Sequence, residues 1–109
     1  MTDERLVVLS TVGSQADAES IAAAVVERRL AACVNVLPGV TSFYRWKGTL
    51  ERDAEWLLVM KTRRERFEAL RAAVLELHPY ETPELIALPI AEGHPPYLAW
   101  LDDGVRPSG

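Results

Sequence analysis

The chain has 109 residues, 49% of them apolar and 26% charged, with a formal net charge of −4. That is an ordinary make-up for a soluble globular domain, and at this length folding hides about two-thirds of the unfolded chain's surface without metal or disulfide staples. The acidic balance argues against a nucleic-acid binder, because a phosphate backbone is met by clustered positive charge. A lone cysteine, Cys33, rules out an intrachain disulfide.

Leu6–Val12 is a short apolar, β-branched run closed by Gly13. It lacks strict alternation, so it is expected to be a central strand covered on both faces. Ser14 or Asp17 can cap a helix running towards Leu30, in which Ala18, Ile21, Ala22, Val25 and Leu30 share an apolar stripe. A second strand starts near Ala32 and continues far past Pro38–Gly39, where a bulge or bend is expected. Lys47–Gly48 fits the turn, and the return strand runs from about Trp56 to Thr62. Arms of this length are too large for the small domain that carries them, which suggests a partner chain covering them.

Arg64 to His78 reads as the second helix, with Phe67, Leu70, Val74 and Leu77 on one face. Pro79 ends it, since the residue before proline is pushed out of the α region. Glu84–Ile90 is a fourth strand that Pro89 assigns to a sheet edge or a strand end. Pro95–Leu101 fits a short helix with proline in its first turn, followed by a frayed tail from Asp102 to Gly109. The order β-α-β-β-α-β plus a short C-terminal helix defines an α+β, ferredoxin-like arrangement with a long bent hairpin. One unit is expected over 1–109, with an ordered core of about 5–102. No apolar run approaches the ~20 residues that span a bilayer, and the acidic start Met1–Arg5 does not read as a signal peptide. The expected location is the cytoplasm, away from membranes.

The residues offer no strong catalytic signature: no Gly-x-Ser-x-Gly elbow, His-Glu-x-x-His pair or phosphate loop. The protein is therefore expected not to be an enzyme. One Cys and two His cannot build a closed Cys/His zinc site in a single chain. His78 could ligate a metal with Glu81 or Glu84, a donor set suited to Cu(II) or another divalent cation; the competing reading is a helix-end histidine favoured by the dipole. His78–Glu84 is a stiff, proline-flanked loop consistent with a binding site. Lys61 ends an apolar strand, where its ammonium needs a partner such as Glu81 or Glu84. Cys33 is expected to be a small buried hydrophobe. Trp46, Trp56 and Trp100 default to packing in the core or at a subunit interface.

Leu30–Asn35, Pro38–Gly39, Ser42-x-Tyr44-x-Trp46-x-Gly48, Glu51, Glu55, Lys61–Thr62, His78-Pro-Tyr80-Glu81-x-Pro-Glu84 and Tyr97-x-x-Trp100–Leu101 together resemble the CutA family of divalent-cation tolerance proteins, over about Leu6 to Leu101. The resemblance implies a cytoplasmic homotrimer of ferredoxin-like subunits, similar in architecture to PII signalling proteins and linked to copper tolerance, with no established reaction. Proposed copper ligands of the family include a cysteine on the first strand and a histidine pair before Pro-Tyr. Here those positions hold Ser10 and Leu77, with His78 kept. The match at Cys33, Trp46, Lys61, His78, Tyr80, Glu81, Glu84 and Trp100 implies a pocket near subunit contacts. Three functions follow: a metal-responsive trimer binding Cu(II) weakly through His78, a PII-like sensor of a small polar metabolite, or a scaffold with no small ligand. No nucleic-acid or membrane partner is expected, and no protein partner can be named.

Overall fold

A computed structural model describes residues 4–107. Four strands form one antiparallel sheet in the order β2-β3-β1-β4. They are β1 (Arg5–Val12), β2 (Cys33–Trp46), β3 (Thr49–Arg63) and β4 (Ile86–Pro89). Helix α1 (Gln15–Glu27) joins β1 to β2, α2 (Phe67–Leu77) joins β3 to β4, and α3 (Pro95–Gly104) follows. This is the ferredoxin-like order expected from the sequence.

Alternation assigns the two faces of the sheet. Leu6, Val8, Val12, Leu58 and Met60 are buried against Ala18, Ile21 and Val25 of α1 and Leu70 and Val74 of α2. The opposite face carries Val7, Leu9, Leu57 and Val59, which are half-buried. Strand β1 is internal, as expected, but it is not fully covered on both faces. The helices pack on one side, and the strict alternation of burial along Arg5–Val12 records it.

Local chemistry sets the element ends. Ser14 Oγ accepts a hydrogen bond from the Asp17 N–H at 3.1 Å and caps α1. Pro95 opens α3 with His94 at its N-cap. Pro89 is the last residue of edge strand β4, where a missing N–H disturbs no ladder. The second helix differs from expectation: Arg64–Arg66 form a 3-10 turn before α2 begins. The frayed tail is also corrected. Helix α3 continues to Gly104 because Asp102 accepts from Arg5 Nε at 2.9 Å and Arg63 Nη1 at 2.7 Å, which ties it to the sheet. Residues 108–109 of that tail lie outside the described residues.

The β2–β3 hairpin is the largest feature. Lys47 (φ 50°) and Gly48 (φ 83°) form its two-residue turn. Positive φ at both positions is the type I′ geometry that matches the strands' twist. At Pro38–Gly39 the register shifts: Leu37 pairs with Leu57, but Val40 pairs with Glu55. Three steps on β2 therefore oppose two on β3, with Gly39 at φ 83°, which is a glycine bulge. The extra residue inverts the alternation. Before it, Val34 and Val36 face the helices; beyond it, Ser42, Tyr44 and Trp46 pair with Asp53, Glu51 and Thr49 on the other face.

Candidate functional site

That inversion builds a cleft of about 780 Å³ on the face away from α1 and α2. Tyr44, Trp46, Asp53 and Glu55 from the hairpin form one wall; Tyr80, Glu81 and Glu84 from the loop after α2 form another, with Thr11 and Gly13 at its edge.

His78 sets the loop's course. It ends α2, where its own N–H bonds Val74 C=O, and its ring is buried at 7% exposure. Nε2–H donates to Thr11 C=O at 2.8 Å, since a carbonyl can only accept. That leaves Nδ1 as the acceptor for the Tyr80 N–H at 3.2 Å. Both nitrogens are thus engaged, the ring lies 4.7 Å from that of Tyr80, and a metal at either nitrogen would have to displace one of these bonds. His78 stands behind the cleft wall rather than on it.

Tyr80 turns back over β1. Its hydroxyl donates to Glu55 Oε2 at 2.6 Å, and a Cβ added to Gly13 would come within 2.9 Å of that hydroxyl oxygen. Only glycine at position 13 leaves room for this packing. Burial first, then the Glu55 carboxylate, pushes the Tyr80 phenol well above its usual range. Tyr44 donates to Asp53, and that bond is the main reason its phenol is pushed up to about 12. Thr11 Oγ1 reaches Glu84 at 3.5 Å. None of Asp53, Glu55, Glu81 and Glu84 is ion-paired to a basic side chain among the described residues. Among those residues no group of three or more His, Cys, Asp or Glu side chains is arranged to hold a metal ion.

The site residues expected from sequence fall into two groups. Trp46, Tyr80, Glu81 and Glu84 line the cleft, with His78 behind them. Cys33 and Lys61 are cross-strand partners elsewhere on the same sheet. Lys61 is six positions along β3 from Glu55, roughly 20 Å. Lys61 does not pair with Glu81 or Glu84; its ammonium donates to Asn35 Oδ1 and lies 3.9 Å from Cys33 Sγ. Cys33 is half-buried rather than fully buried. Trp100 stacks at 5.5 Å on Tyr97, whose phenol is raised by burial and by Cys33 beside it. Thr11, Tyr44, Asp53 and Glu55 were not expected at the site. The signal that places Tyr44 is the Pro38–Gly39 bulge, which reverses the alternation on β2; Asp53 and Glu55 share a face with Leu57 by the unbroken alternation of β3.

A four-stranded antiparallel sheet with two helices on one face and an overlong bulged hairpin defines a ferredoxin-like α+β protein. Residues 6–104 match the family described as CutA1 divalent ion tolerance protein, and the chain belongs to that family. It is 56% identical over 95 residues to the divalent-cation tolerance protein CutA of Thermus thermophilus, covering 87% of this chain and 92% of that one. It superimposes on CutA1 of Oryza sativa with a TM-score of 0.93 at 42% identity, covering 98% of each chain. An Archaeoglobus fulgidus neighbour, with a TM-score of 0.90 at 38% identity over 94% of this chain and 99% of that one, is named as a periplasmic divalent cation tolerance protein.

Proposed function

We propose that the protein acts in divalent-cation tolerance as a cytoplasmic homotrimer, without catalysis, and that it engages Cu(II) or another divalent cation weakly. The supporting observation is the set of cleft carboxylates that carry no ion pair among the described residues, which attracts cations without the converging donors that a tight site requires. Glu81 and Glu84 are exposed and supply the first contacts. His78 can join them only by giving up its bond to Thr11 or Tyr80. Family membership supports the tolerance role. The trimer is supported by the exposed Phe43 and Leu50 on the hairpin and Ile86 and Leu88 on β4, apolar surface that a neighbouring copy would cover. Among the described residues no helix is long and apolar enough to cross a membrane.

Native mass spectrometry during stepwise copper addition tests this. The expected result is a trimer with weak, low-stoichiometry uptake that falls in Glu84→Gln. Unchanged uptake in His78→Ala would retire His78 as a ligand, and a monomer at micromolar concentration would refute the assembly. Fractionation of the source cells decides the compartment.

A second reading, a PII-like sensor of a small anionic or polar metabolite, is favoured by Lys61. Its half-buried ammonium has polar neighbours but no carboxylate among the described residues. A metabolite whose thermal shift disappears in Lys61→Ala would move the assignment there.

A further inference from the structure

No further inference is drawn: the strongest candidate, the groove of about 830 Å³ between α1 and the edge strand β2, lined by Ala22, Ala23, Val26, Val34 and Val36, is an unpartnered apolar face, and nothing in the structure shows what covers it.

Discussion

Ser10 sits fully buried on the helix-covered face of β1, and its hydroxyl has no hydrogen-bond partner among the described residues. A buried hydroxyl without a partner costs its desolvation and returns nothing. Ser10→Ala is therefore expected to raise unfolding free energy by about 0.5–1 kcal/mol, read from denaturant titration at unchanged slope. A loss of stability would mean that Ser10 has a partner in solution. Thr62 is the contrasting case: it is equally buried, but its hydroxyl donates to Leu30 C=O at 2.7 Å. That bond fixes the crossing from α1 into β2.

At the scale of elements, Asp102 decides where α3 rests. Arg5 first, and Arg63 with it, holds its carboxyl below the ordinary 3.8 against the opposing effect of burial. A depressed carboxylate stabilises the fold fully above its unfolded value, and that contribution is lost as pH falls through the lower folded value. Asp102→Asn should cost about 1–2 kcal/mol at neutral pH, discounted for partial exposure. It should also flatten the loss of stability below pH 3.8. An acid limb identical to wild type would show that the carboxylate is not what anchors α3. The loop after α2 is anchored differently, by His78 and by the ring of Tyr80 lying over Gly13.

For the whole molecule, the sheet's second face is the open question. Leu88 on β4 is 49% exposed beside Val7, its antiparallel partner on β1. A charge there disturbs no buried contact within one chain, yet it would be desolvated if another copy packed on this face. Leu88→Lys should leave the circular dichroism spectrum intact and shift the mass in solution from assembly towards monomer. It should also lower the melting temperature, because association favours the folded state by mass action. An unchanged mass would place the subunit contact elsewhere.

The sequence by itself determined the element order and the helix faces, and it narrowed the cap of α1 to Ser14 or Asp17, since each depends on periodicity and on the residues within one turn. Ser14, Pro89 and Pro95 act locally and could be read locally. It also determined that β2 and β3 are overlong and broken at Pro38–Gly39. Tertiary structure decided what the break accomplishes. One extra residue rotates Tyr44 and Trp46 to the face of Asp53 and Glu55, and a register shift appears only once two strands are paired. It likewise decided that His78 is bonded at both nitrogens and that Lys61 meets Asn35 and Cys33 instead of the carboxylates it was expected to meet. Those partners are brought together by long-range packing, which sequence spacing does not encode.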